Sequence, residues 1–187
     1  CCRKSATAFC VASDEREAQT ICNDLASMGM RAYFYPERDF NFRDIQSASR
    51  EYEHARLKVL LKLIDGECDV VVSCIDAASQ FTVPKEFLRD CVLTLKEGLE
   101  ISIEKAVRTL TLLGYERFDA VEGSGQFSLR GGILDFFMPD AENPVRAEFW
   151  GDEITDLSFF DIDTQRRGEK AGEIRLSPSA EVIIEDR

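Results

Sequence analysis

Catalysis and metal binding need particular side chains at workable spacing, and this sequence is poor in both. It holds one histidine, His54, flanked by Glu51 and Glu53 on a stretch otherwise rich in Arg and Lys. No Ser or Cys has a second His as base or orienter, so nucleophilic catalysis lacks machinery. His54 reads as an exposed helix residue. Seven cysteines stand at positions 1, 2, 10, 22, 68, 74 and 91, with no Cys-x-x-Cys pair. Zinc spacing is absent, and the odd count argues against a disulfide framework. Cys10, Cys74 and Cys91 lie in apolar runs, where a free thiol behaves as a small buried hydrophobe in a reducing cytoplasm.

Phosphate chemistry fares no better. No Gly-x-x-x-x-Gly-Lys-Ser/Thr loop is present to cradle a nucleotide. Gly123-Ser124-Gly125 is too short for one and reads as a tight hairpin turn. Asp14-Glu15 follows a strand-like run, as a metal-binding acidic pair of an ATPase would, but without a phosphate loop it reads as a helix N-terminus. Glu148, Asp152, Glu153 and Asp156 cluster between two strands and read as a solvated acidic surface. No catalytic, metal-binding or cofactor-binding residue is assigned, and no cofactor is expected.

Recognition is better supplied. In Val145-Arg146-Ala147-Glu148-Phe149-Trp150 the period-2 rule sends Val145, Ala147 and Phe149 to one face and Arg146, Glu148 and Trp150 to the other. The only Trp of the chain thus shares a face with two charged side chains, a combination that suits a protein-binding hot spot. Gln126-Phe127-Ser128-Leu129-Arg130 alternates likewise, burying Phe127 and Leu129 and presenting Arg130. If the two strands are neighbours, Arg130 and Arg146 flank one patch with Trp150. The competing reading covers Trp150 with the domain's own helix and ties both arginines into local salt bridges. As surface residues, Arg130, Arg146 and Trp150 would each tolerate truncation within about 0.5 kcal/mol of stability.

The elements that carry these residues fall into two textures. Over the first 90 residues, apolar runs at Ala6 to Ala12, Arg31 to Tyr35 and Asp69 to Cys74 read as strands, the first and last as buried parallel ones. Between them lie helical patterns. One starts at Ser13 or Asp14, with Glu17 completing a capping box, and stops at Gly29. The other sets Tyr52, Ala55, Arg56, Val59, Leu60 and Leu63 on one face and ends at Gly66. Such βα steps imply an α/β unit with a parallel sheet. From Cys91 a strand leads to a helix from about Ser102 to Leu113, and then the chain turns strand-rich, with turns at Gly131-Gly132 and Gly151-Asp152. That is an α+β module with a mostly antiparallel sheet.

Charge narrows the partner. The net charge is −12, with 20 acidic and 11 basic residues over 91–187 against 15 and 12 over 1–90. Gripping a phosphate backbone draws on clustered Lys and Arg, so the second half is a poor candidate for holding DNA unaided. No apolar run reaches the roughly 20 residues of a membrane span, so no membrane partner is expected. The chain starts without Met and directly before a strand-like run, as a piece of a longer protein would.

The same residues carry a family signature. Gly114 to Asp119, Gly125 to Phe137, Arg146 to Ile154, and Phe160-Asp161 with Thr164-Gln165-Arg166 closely resemble the UvrB-homology region of the transcription-repair coupling factor family (Mfd). Gly132 and Thr164-Gln165-Arg166 favour that family over UvrB, which usually has an acidic residue in place of Gly132. More weakly, Tyr35-Pro36-Glu37-Arg38-Asp39, Arg56-Leu57 and Asp69 to Ala78 resemble its degenerate nucleotide-binding-like domain. The resemblance implies a partial P-loop-like α/β domain over 1–90, a UvrA-binding module like domain 2 of UvrB over 91–178, and a return segment over 179–187. It implies a cytoplasmic, non-catalytic adaptor that recruits UvrA to lesions at stalled RNA polymerase in nucleotide excision repair. Arg130, Arg146 and Trp150 match the UvrA-contacting positions, with Trp where the family usually has Phe. ATP-driven translocation, double-stranded DNA binding and polymerase contact belong to other domains of the family. The alternative is a fragment of the UvrB helicase-like ATPase, binding DNA and nucleotide. The two separate on one measurement: the adaptor reading expects no ATP binding by calorimetry, and micromolar affinity would overturn it.

Overall fold

The computed structural model describes residues 6–38, 50–90 and 93–181. The chain divides into two compact units, Cys1–Thr82 and Val83–Arg187. The change of sequence texture puts this boundary at 90/91 instead; the helix over Lys85–Asp90, unmarked by any pattern, falls with the second unit.

The first unit is three parallel strands between two helices. In chain order these are β1 (Ala8–Ala12), α1 (Glu15–Ser27), β2 (Ala32–Tyr35), α2 (Arg50–Ile64), β3 (Val70–Cys74) and the short α3 (Ile75–Ala78). Strand order is β1-β3-β2, all parallel. β3 is buried at every residue because both its faces are covered. Val70 and Val72 join Ala18 and Cys22 of α1, while Val71 joins Val59 of α2. A strand covered on both sides loses its alternation, and the run Val70-Val71-Val72 shows that in the sequence.

α1 starts where its caps predict. Asp14 accepts from the Glu17 amide at 2.8 Å, and the Glu17 carboxylate turns back to the Ser13 amide at 2.9 Å. This is a capping box shifted by one residue, since Glu17 meets Ser13 rather than the Asp14 amide. α2 departs from its expected face. Arg56 and Val59 are buried as expected, but so is Leu57, while Tyr52 and Leu63 are exposed. His54, expected at the surface, is buried at 8% exposure, because the inward stripe runs through 54, 56, 57 and 59. Arg56 is wholly buried, its guanidinium 4.2 Å from the Tyr35 ring centroid and its Nη1 donating to the Pro36 carbonyl at 2.8 Å. Two of the weaker family blocks therefore meet in space. Of the cysteines expected in apolar cores, Cys74 is buried and Cys10 half-buried, whereas Cys91 lies outside the described residues. Cys22 and Cys68 are buried too, and burial pushes both thiols up.

In the second unit α4 (Lys85–Asp90) and β4 (Thr94–Lys96) precede α5 (Ile103–Leu112). There follow β5 (Glu116–Arg117), β6 (Gln126–Arg130), β7 (Ile133–Phe136), β8 (Val145–Trp150), β9 (Glu153–Phe160), β10 (Arg167–Lys170) and β11 (Glu173–Arg175). Six of these form one sheet in the order β10-β9-β8-β7-β6-β5, and β11 pairs with β4 in a second. Pairing in the large sheet is antiparallel except between β5 and β6. That parallel pair corrects the reading of Gly123-Ser124-Gly125 as a hairpin turn: the segment after β5 loops back to the start of β6, held by Gln126 Oε1, which accepts from the Glu122 and Gly123 amides.

One face of the large sheet builds the core. Phe127, Leu134, Phe136, Val145, Ala147, Ile154 and Leu157 cluster with Ala106 and Leu110 of α5, with Leu113 just beyond it, and with Leu95, Ile174 and Leu176. α5 is capped by Ser102, whose Oγ accepts from the Lys105 amide at 3.3 Å. Beyond α5, Gly114 at φ +86° sits where an added Cβ would lie 2.5 Å from that of Ala180. The segment after β11 is closed down over this point, with the Ser179 amide donating to the Leu113 carbonyl and the buried Tyr115 hydroxyl donating to that of Ser177. Phe127, at 2% exposure, is among the largest side chains in this core. Phe127→Ala is expected to cost about 3–5 kcal/mol in chemical denaturation, the usual range for emptying a buried ring site.

Candidate functional site

The opposite face of the same sheet carries the residues singled out for recognition. Register sets Ser128, Asp135, Arg146 and Ser158 across from one another on β6, β7, β8 and β9. The next row is Arg130, Ile133, Glu148 and Asp156. Two short hairpins hold this register. Each has a two-residue loop opening on a glycine at φ +60°, Gly131 in one and Gly151 in the other, as a type II′ turn requires. Gly132 is constrained differently: a Cβ there would lie 2.8 Å from the Phe149 carbonyl, and the Phe149 amide donates back to the Gly132 carbonyl at 2.7 Å.

A bulge keeps the faces sorted near the end of β8. Glu148 pairs with Asp156, but Phe149 pairs with Ile154, which leaves Thr155 as the extra residue. Thr155 is exposed, and its hydroxyl donates to the Glu148 carbonyl at 3.1 Å. Ile154 and Leu157, three residues apart, can therefore both enter the core. Trp150 closes the strand on the outer face, opposite Glu153.

The centre of that face is a buried carboxylate shared by two arginines. Asp135 is 1% exposed. Its Oδ1 accepts from Arg146 Nε at 2.7 Å, and its Oδ2 accepts from Arg146 Nη2 at 2.8 Å and from Arg130 Nη2 at 2.7 Å. Arg146 Nη1 donates to the Gln165 carbonyl at 3.4 Å, and its guanidinium carbon lies 4.6 Å from the Phe160 ring centroid. The bond to Asp135 raises the Arg146 pKa and holds the group charged. Gln165 is brought there by a tight loop in which it adopts φ +57°. Asp161 ties that loop by accepting from both the amide and the hydroxyl of Thr164 at 2.7 Å, which lowers the Asp161 pKa.

Around this centre, charge is unevenly matched. Glu148 and Asp156 face each other across the β8–β9 ladder, a destabilising placement for like charges. Arg167 bridges both, at 2.9 Å from Asp156, and Lys170 stands 3.6 Å from Asp156 and 3.0 Å from Glu97. Trp150 is left 82% exposed, with Glu100, Ile101, Ser102, Asp152 and Glu153 around a shallow recess beside it. The four carboxylates expected to form one acidic cluster thus split in two. Glu148 and Asp156 are neutralised on the sheet, and Asp152 and Glu153 line the recess at the hairpin tip.

All of this lies within 93–181, the stretch that matches the model of the UvrB interaction domain. These residues belong to that family. The chain as a whole is similar to a segment of longer proteins. It is 32% identical over 178 residues to the transcription-repair-coupling factor of Bacillus subtilis, covering 94% of this chain and 15% of that relative. It is 29% identical over 154 residues to that of Staphylococcus epidermidis, covering 82% and 13%. The chain therefore spans about one seventh of the length of the relatives it matches.

Within the UvrB interaction domain, the three residues expected on one face do share it, with different exposures. Trp150 is not covered by α5, and the Arg130 side chain is half exposed, whereas that of Arg146 is only 15% exposed. The strands of the two arginines are not neighbours; β7 lies between them and supplies Asp135. Sequence reasoning passes over Asp135, although it carries a signal: a carboxylate between Leu134 and Phe136, two residues that alternation sends to the core. The expectation that Arg146 tolerates truncation as a surface residue gives way for the same reason. Arg146→Ala should cost about 3 kcal/mol, the low end for breaking a buried pair, since Arg130 still reaches Asp135. Arg130→Ala should cost about 1 kcal/mol or less, as exposed pairs do. Urea denaturation of the two variants side by side checks the difference; equal losses would place both arginines in the same environment.

Proposed function

We propose that this chain is a non-catalytic adaptor that binds UvrA through the outer face of its UvrB interaction domain. The observation that carries the reading is Trp150, an 82% exposed indole on the same sheet face as Arg130 and Arg146. Trp and Arg are the residues most enriched where binding energy concentrates, and this face presents both. The family match over 93–181 and the likeness to transcription-repair-coupling factors support the same partner.

In a longer protein of that kind the adaptor brings UvrA to lesions where RNA polymerase has stalled, in the cytoplasm. ATP-driven movement on double-stranded DNA and contact with polymerase then belong to regions outside this chain. No helix among the described residues is long and apolar enough to cross a membrane.

Calorimetric titration of purified UvrA into this chain tests the proposal. Trp150→Ala and Arg130→Ala should each weaken binding by about 2 kcal/mol, the threshold of a hot spot, which is roughly a thirtyfold loss. Trp150→Ala should leave thermal stability nearly unchanged. Absence of binding by the unaltered chain, or indifference of binding to both substitutions, would overturn the reading.

A further inference from the structure

The two arginines of the patch are not equivalent. Every nitrogen of the Arg146 guanidinium is engaged: Nε and Nη2 by Asp135, and Nη1 by the Gln165 carbonyl. Its flat side lies on Phe160. Arg130 commits only Nη2, so its Nε and Nη1 protons have no partner among the described residues, and the side chain is half exposed. One carboxylate between two guanidiniums leaves one positive charge unmatched, and the exposed part of it is on Arg130. Glu148, on the same row as Arg130 two strands away, is already bridged by Arg167.

We infer that Arg130 is the arginine that meets a carboxylate of the partner, and that Asp135 and Arg146 are positioning residues that act through it. Resting on the UvrA-binding reading, this assigns each member of the cluster a separate task. Arg146 clamps Asp135 with a side-on fork, which fixes both carboxylate oxygens. Asp135 then uses Oδ2 to hold one nitrogen of a long side chain that is otherwise free to rotate. Holding Arg130 before the encounter removes part of the rotamer entropy that docking would otherwise cost. The remaining Nε and Nη1 donors are presented outward, where a carboxylate suits a guanidinium better than any neutral group does. Lys at 130 could meet two acids only as a point charge, without the planar edge that a guanidinium turns to a carboxylate.

The test is a double-mutant cycle read in UvrA affinity, with Asp135→Asn and Arg130→Ala singly and together. Asp135→Asn keeps the shape of the site and removes the charge that holds Arg130. It should weaken UvrA binding roughly tenfold alone, a coupling typical of one salt-bridge network, and add almost nothing once Arg130 is gone. A merely structural role for Asp135 would weaken binding by the same factor in both backgrounds, and that result overturns the assignment. A second readout needs no partner. In ¹⁵N relaxation of the arginine Nε–H groups, Arg130 should change from ordered to mobile in Asp135→Asn, and an Arg130 that stays ordered also overturns it. If Asp135→Asn does not fold, Arg146→Lys replaces it in both experiments, since lysine keeps the charge but loses the fork. If UvrA fails to bind the unaltered chain, the partner reading falls and the contact role of Arg130 with it. The relaxation data still decide the positioning role.

Discussion

A carboxylate shut away from water inside a protein must be matched by charge and hydrogen bonds, or it shifts its protonation and the structure yields. Asp135 meets that demand with donors from two other strands, so one side chain on β7 ties β6 and β8 together on the face away from the core. The rest of the face follows from it. Arg146 can lie flat over Phe160 only because Asp135 fixes its fork, and Arg130 points outward from a nitrogen already held. The interaction also depends on register. A one-residue slip of β8 would turn Arg146 into the apolar core and Ala147 toward Asp135. The ion cluster and the core on the opposite face therefore enforce the same alignment.

Glycines and one bulge deliver that alignment. Gly131 and Gly151 open two-residue turns at positive φ, where a side chain would be strained, and Gly132 lets the β6–β7 turn press against the Phe149 carbonyl. An acidic residue at 132 would need that end of β8 to shift, and Trp150 follows Phe149 directly. The bulge at Thr155 adds a local correction: it gives the core both Ile154 and Leu157 while Glu153 stays opposite Trp150. The exposed indole is thus held at the rim by features whose own energetics are those of turns and packing, not of binding.

The Thr164-Gln165-Arg166 stretch has a structural role that its position in the sequence does not suggest. Asp161 organises the loop through Thr164, the loop holds Gln165 at positive φ, and the Gln165 carbonyl then takes the remaining nitrogen of Arg146. In the first unit, the buried Arg56 stacks on Tyr35 and bonds to the Pro36 carbonyl, so Tyr35-Pro36 and the α2 helix depend on each other. His54 shows why residue type misjudges α2: its polarity sends it to the solvent, whereas it lies inside, as does Arg56, which the expected face includes.

Much of the architecture is legible in the sequence. Unbroken apolar runs such as Val70-Val71-Val72, the caps at Asp14 and Ser102, and the strict alternation of Gln126–Arg130 and Val145–Trp150 are local signals, because backbone geometry over a few residues decides them. Alternation is also enough to put Arg130, Arg146 and Trp150 on one face of a strand. Which strands are neighbours is not local. That β7 stands between β6 and β8, that β5 runs parallel to β6, and that Glu148 faces Asp156 depend on pairings between residues far apart along the chain. Exposure is decided at the same level. The period of a strand says which side a residue faces, and only the packed tertiary structure says whether that side is open, as at Trp150, or closed over a shared carboxylate, as at Arg146.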